Sequence, residues 1–164
     1  MPDIKTQHEG KFYWLFDRDC IGAITKAHFT PQYWQNLNSV TGQESGRGTT
    51  WFVKHNDYHL VLRHYLRGGL ISKISKDSYV FTTWQNCRAI AEFEILNKLR
   101  DLGLPVPKPA AAQIVREGLF YKADLLTHRI PNAQDLVQIL KSSQDKDFYH
   151  QLGQTVAKFH LHGV

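Results

Sequence analysis

Gly46 and Gly48 flank a single residue, and an arginine, Arg63, follows 17 residues after the first of them. A glycine pair at a hairpin mouth lets backbone N–H groups approach phosphate oxygens with no Cβ in the way. The same pair fits an ordinary turn, and no GKS/T sequence follows that would make it a Walker loop. Arg63 ends the run Leu60-Val61-Leu62-Arg63, where a strand would direct a cation from an apolar sheet toward whatever lies under the glycine loop. A surface strand arginine is the competing reading. Glu92 shares a helical face with Ile95, Leu96 and Leu99, so its carboxylate points inward, where it needs a cation. Glu94 instead faces Lys98 one turn on and reads as a solvated pair. An inward glutamate after an upstream strand cation predicts an Arg63–Glu92 ion pair.

The elements that must position these residues are legible in outline. Residues 11–29 are rich in aromatic and β-branched side chains, and Thr30-Pro31 opens a short helix to about Leu37. Thr49–His55 and Tyr58–Leu66, joined through a His-Asn-Asp turn, predict a hairpin with the glycine loop at its mouth. Arg67-Gly68-Gly69 then leads into a basic, amphipathic segment, Leu70–Phe81. Residues 86–102 predict a helix with Ala89, Phe93, Leu96 and Leu99 along one stripe and Gly103 at the position after its end. Pro105, Pro107 and Pro109 forbid helix; Ala111–Val115 and Leu119–Thr127 follow as two strands around a Glu-Gly turn. From about residue 131 the pattern is helical only, over Ala133–Lys141 and Asp147–His162, the latter with a stripe of Phe148, Leu152, Val156 and Phe159.

Composition narrows the chemistry. The 164 residues are 42% hydrophobic, enough for one ordinary core. No apolar run approaches the roughly 20 residues that cross a bilayer, and Met1–Gly10 lacks the apolar region of a signal peptide. A cytoplasmic location is expected. Cys20 and Cys87 have no CxxC spacing, which argues against a disulfide framework or a zinc site. Residues 46–100 hold nine Lys/Arg against four Asp/Glu, the whole of the chain's +5 charge. A localised cationic segment implies an anionic partner, although a solvated basic face would look the same.

A glycine hairpin, a strand cation, a helix with an inward glutamate, a proline-marked loop, two strands and an all-helical segment follow the order of a protein-kinase-like N-lobe and hinge. The words themselves go further. Gly46-Arg47-Gly48-Thr49-Thr50-Trp51-Phe52-Val53, Leu62-Arg63-His64-Tyr65 with Arg67-Gly68-Gly69-Leu70, Phe93-Glu94-Ile95-Leu96 with Leu102-Gly103-Leu104-Pro105-Val106-Pro107, Ala123-Asp124-Leu125-Leu126-Thr127-His128-Arg129-Ile130-Pro131 and Ala157-Lys158-Phe159-His160-Leu161-His162-Gly163-Val164 together resemble the 3-deoxy-D-manno-octulosonic acid (Kdo) kinases of the lipopolysaccharide kinase family over about residues 40–164.

The resemblance implies an α+β, protein-kinase-like fold. Residues 1–38 would be an N-terminal extension, 39–130 the N-lobe and hinge, and 131–164 the start of a helical C-lobe. It implies that Gly46, Arg47 and Gly48 cover the nucleotide and that Arg63 stands where a strand lysine contacts the α- and β-phosphates. Glu92 would partner Arg63, while Leu125, Leu126 and Thr127 would form the adenine-contacting hinge. Trp51 replaces the third loop glycine of protein kinases, and Arg63 offers a planar fork in place of an ammonium. No catalytic or metal residue is assigned: the base aspartate and metal-binding groups are expected beyond Val164, and this chain alone is expected to be inactive. The implied activity is ATP- and Mg²⁺-dependent phosphorylation of a Kdo hydroxyl on a Kdo-lipid A precursor in lipopolysaccharide core synthesis. The implied setting is peripheral, on the anionic cytoplasmic face of a Gram-negative inner membrane, with no nucleic acid as partner. A heptose or other sugar kinase of the same family, or a non-catalytic nucleotide- or nucleic-acid-binding module, are the alternatives.

Overall fold

A computed structural model describes residues 2–46, 48–67, 77–134, 136–142 and 145–164. Arg47, Asp135 and most of the predicted Leu70–Phe81 segment lie outside the described residues. The strands are β1 (Ile4–Glu9), β2 (Phe12–Asp17), β3 (Val40–Ser45), β4 (Thr49–His55), β5 (Tyr58–His64), β6 (Tyr79–Val80), β7 (Pro109–Glu117) and β8 (Phe120–His128). All the pairings described are antiparallel, in the order β1-β2-β7-β8-β5-β4-β3, with β6 paired to β8. The last described strand in sequence, β8, is therefore central in space.

Local chemistry makes the turns. The β4–β5 and β7–β8 hairpins each have two-residue loops whose first residue, Asn56 or Gly118, has positive φ. That backbone suits the twist of an antiparallel pair and is tolerated by asparagine and glycine. The strand β3, ahead of the glycine loop, was not predicted. Its polar sequence and mostly exposed positions hide the alternation that identifies a strand. Residues 4–17, within the predicted extension, supply two strands of the same sheet, with β2 in register against β7.

Helices α1 (Arg18–Ile21), α2 (Pro31–Asn36), α3 (Arg88–Asp101), α4 (Leu136–Ser142) and α5 (Lys146–Leu161) complete the described elements, with a 3₁₀ turn at Lys26–Phe29. Two cores lie on the two faces of the sheet. One gathers Trp14, Phe16, Val53, Leu60, Leu62 and Leu126 under Trp34 of α2. The other joins Leu15, Ala112, Ile114 and Leu125 to Ile90, Phe93 and Leu96 of α3. The predicted α3 stripe is the buried one, and Gly103 closes the helix at φ 72°. Ile95, expected on the inner face with Glu92, is 49% exposed, so Glu92 stands at the edge of the buried stripe. In α5, Phe148, Leu152 and Phe159 are half-buried while Val156 is exposed.

Candidate functional site

Strand alternation puts Val61, Arg63 and Tyr65 on the face that carries α3, since Arg63 stands opposite Leu125 of the α3-side core. Register sets Thr50 beside Arg63 and Phe52 beside Val61 on the neighbouring strand, and Thr127 beside Val61 on the other. A continuous polar-to-apolar surface results. One end is a cavity of about 410 Å³ lined by Gly46, Gly48, Thr50, Arg63, Tyr65 and Arg88. The other end is a cavity of about 380 Å³ lined by Phe52, Val61, Pro107, Thr127, Arg129 and Ile130. Glu44 lines both, so the two form one cleft.

Arg63 and Glu92 meet: Arg63 Nη2 donates to Glu92 Oε1. The Tyr65 hydroxyl donates to the other carboxylate oxygen, Oε2. Arg63 Cζ lies 5.2 Å from the Tyr65 ring centroid, and Nη2 lies 3.4 Å from the Tyr65 hydroxyl. Burial alone would draw the guanidinium down, but Glu92 reverses this and holds Arg63 above its ordinary value. Burial, followed by the hydrogen bond to Glu92, pushes the Tyr65 phenol up. The group is thus a fixed Arg⁺–carboxylate–phenol unit at the cleft floor.

Gly46 and Gly48 border this floor. A Cβ on Gly48 would meet Leu66 Cδ1 at 2.5 Å, whereas one on Gly46 has nothing nearer than the loop's own Gly48 carbonyl at 4.0 Å. Gly46 N–H donates to that carbonyl at 3.0 Å, which tightens the turn. Of the predicted hinge residues, Thr127 lines the cleft. Leu125 lies 1% exposed beneath α3, and Leu126 is fully buried in the core on the opposite face. The apolar end of the cleft is instead made by Phe52, Val61 and the chain from Thr127 to Ile130, with the Arg129 guanidinium 4.2 Å from the Phe52 ring centroid. Glu44, Tyr65 and Arg88 were not singled out in the sequence. Tyr65 had a signal, its two-residue spacing from Arg63, and Arg88 stands one helical turn before Glu92.

Behind Arg63, on the opposite face, a polar chain crosses the sheet. Trp14 Nε1 donates to Gln113 Oε1 at 2.9 Å, Gln113 Nε2 donates to Asp124 Oδ2 at 3.1 Å, and His64 Nδ1 lies 2.6 Å from Asp124 Oδ1. His64 Nε2 lies 3.4 Å from Asp77 Oδ2, which Lys122 Nζ also approaches at 3.0 Å. The hydrogen bond to Asp124 raises the His64 pKa above its ordinary value despite burial. A carboxylate at each ring nitrogen favours the imidazolium more than water does around a free histidine.

Among the described residues no three His, Cys, Asp or Glu side chains converge as metal ligands. The described residues therefore offer no ready-made protein cage for Mg²⁺. The cleft does suit an elongated ligand with a flat apolar end and an anionic end.

An antiparallel sheet crossed by a helix, with a strand cation bridged to a helix glutamate beneath a glycine loop, defines a kinase-like α+β protein. A model of the Lipopolysaccharide kinase (Kdo/WaaP) family matches residues 31–164, and the chain belongs to that family. It is 48% identical over 162 residues to a 3-deoxy-D-manno-octulosonic acid kinase of Vibrio vulnificus (strain YJ016), covering 98% of this chain and 69% of that protein. The kinase of the same name from Vibrio cholerae serotype O1 (strain ATCC 39315 / El Tor Inaba N16961) is 49% identical over 131 residues, 79% of this chain and 56% of that protein. The one from Haemophilus influenzae (strain PittEE) is 40% identical over 154 residues, 90% of this chain and 64% of that protein. No solved structure matches the chain.

Proposed function

We propose that this protein is an ATP-dependent phosphotransferase acting on a hydroxyl of a Kdo sugar, carried by a Kdo-lipid A precursor during lipopolysaccharide core synthesis. The observation that carries the reading is the Arg63–Glu92 bridge beneath the glycine loop, in a chain of this family. The nucleotide base lies against Phe52, Val61 and Thr127, and its phosphates run under Gly46 and Gly48 toward Arg63. Phosphoryl transfer depends on positioning and on charge placed ahead of the reaction. Glu92 and Tyr65 hold the Arg63 fork in one orientation, so little ordering remains to be done when phosphate arrives.

In this reading residues 39–130 are the N-lobe and hinge, and 131–164 begin the helical C-lobe. The base and metal-binding carboxylates belong to a part of the longer relatives that this chain does not span. Work on a lipid-borne sugar sets the enzyme against the anionic cytoplasmic face of the inner membrane, where a net charge of +5 favours adsorption.

Calorimetric titration with ATP tests the binding site: Phe52→Ala and Arg63→Gln should each weaken binding about tenfold or more. ATP bound equally well by both variants would remove the cleft from the reading. Transfer of phosphate to a Kdo-bearing lipid A precursor tests the division of labour, with the 164-residue chain expected to be inactive and a chain of the relatives' length active. Robust transfer by the shorter chain would assign the chemistry to its own acids and overturn the N-lobe assignment.

A further inference from the structure

Arg63 is neutralised by Glu92, and Lys122 is neutralised by Asp77. Two other arginines near the cleft are not matched in this way. Arg67 Cζ lies 5.0 Å and Arg88 Cζ 4.8 Å from the centroid of a single ring, that of Tyr79, which is 6% exposed. Tyr121 stacks on Tyr79 at a centroid distance of 5.4 Å and so occupies one side of the ring, which leaves the two guanidinium groups the remaining approaches. Among the described residues neither arginine has a carboxylate within ion-pair distance, and residues 68–76 contain Lys73 and Lys76 but no acid. The ring attracts each cation, but two like charges gathered on it repel each other. An anion between them relieves the repulsion and takes up guanidinium donors bidentately.

Their position is informative. The cleft floor runs from Val61 and Arg63 on β5 to Tyr65 just past the strand, away from the apolar end; Arg88 lines the cavity beside Gly46 and Gly48, and Arg67, two residues beyond Tyr65, meets Arg88 at the Tyr79 ring. We propose that Arg67 and Arg88, gathered on Tyr79, bind an oxyanion at the far end of the cleft, beyond Arg63. Resting on the nucleotide reading of the cleft, this assigns them either the terminal phosphate of the nucleotide or the carboxylate of the acidic acceptor sugar. Both sources present the same chemistry to the arginine forks.

The test is calorimetric titration of the whole chain, wild type and Arg67→Gln/Arg88→Gln, with ATP, ADP, free Kdo and the methyl ester of Kdo at fixed ionic strength. The paired variant Arg67→Lys/Arg88→Lys keeps charge and loses the fork, and circular dichroism checks that both remain folded. A loss of about tenfold or more for ATP but not ADP supports the terminal phosphate. The same loss for Kdo but not its ester supports the acceptor carboxylate. In either case the lysine variant should lose less than the glutamine variant. Equal losses for ATP and ADP would put the arginines on the inner phosphates and overturn the distal site, as would unchanged binding of all the ligands. If the wild type bound ADP and ATP but the variants did not differ, only this proposal would fall. A wild type that bound no nucleotide would remove the cleft reading itself.

Discussion

Two ion pairs on the same sheet are put to opposite uses. Asp17 at the end of β2 is fully buried, with Lys108 Nζ 2.6 Å from its Oδ2, while its Oδ1 accepts from the Asp19 N–H. Arg63 and Glu92 are chemically similar, but their side chains are 46% and 35% exposed and line an open cleft. The Asp17 carboxylate is wholly out of water and must be matched, even though the Lys108 side chain is 31% exposed, so the first pair is structural and unforgiving. The second is screened by solvent and adds little to folding, which leaves its geometry available to a ligand. The contrast separates residues that hold the sheet together from those that act on its surface.

The largest expected effect comes from breaking the buried pair. Lys108→Met leaves an uncompensated carboxylate and should destabilise the fold by about 3–5 kcal/mol, measured by urea unfolding. Adding Asp17→Asn should recover part of that loss. A cost under about 1 kcal/mol for the single change would erase the distinction between the two pairs.

Glu92→Gln should cost less, about 1 kcal/mol or below in the same unfolding assay, because the pair is half in solvent. Its effect should appear in ligand binding, where an Arg63 that has lost its charged partner is held less firmly, by Tyr65 and a neutral amide. Unfolding energy and ATP affinity measured together decide the matter. A large stability loss with unchanged affinity would make the open pair as structural as the buried one.

The smallest effect concerns the polar chain behind Arg63. His64 has a raised pKa, set first by its hydrogen bond to Asp124, so its protonated form contributes stability that is complete below the ordinary value of 6.5 and lost as pH rises through the raised one. His28 and His128 behave oppositely. Burial lowers both, so their contribution is complete above 6.5 and lost as pH falls below it. His64→Gln should therefore lose on the order of 1 kcal/mol or less below pH 6.5, with the gap from wild type closing as pH rises above it. A gap that widened with pH would contradict the imidazolium assignment.

The helix α3 stripe, the glycine stops and the pairing of Arg63 with Glu92 were all legible in the sequence. Each depends on a local period or on two elements whose facing sides a period defines. Polar β3 escaped because it has little apolar alternation to read. Ile95 was misplaced because a helical face is wider than the stripe the sheet actually covers.

The rest was decided by assembly. Nothing in the residues near Asp17 announces Lys108 as its partner, since the two meet only when β2 pairs with β7. The core position of Leu126 and the exposure of Thr127 to the cleft follow from the register of β8 between β5 and β7, where a one-residue change would exchange their faces. The gathering of Arg67 and Arg88 on Tyr79 likewise needs β6 laid against β8 and α3 across the sheet. The chain's local periods determine which side chains share a face of an element, and strand pairing across distant sequence determines which elements those faces meet.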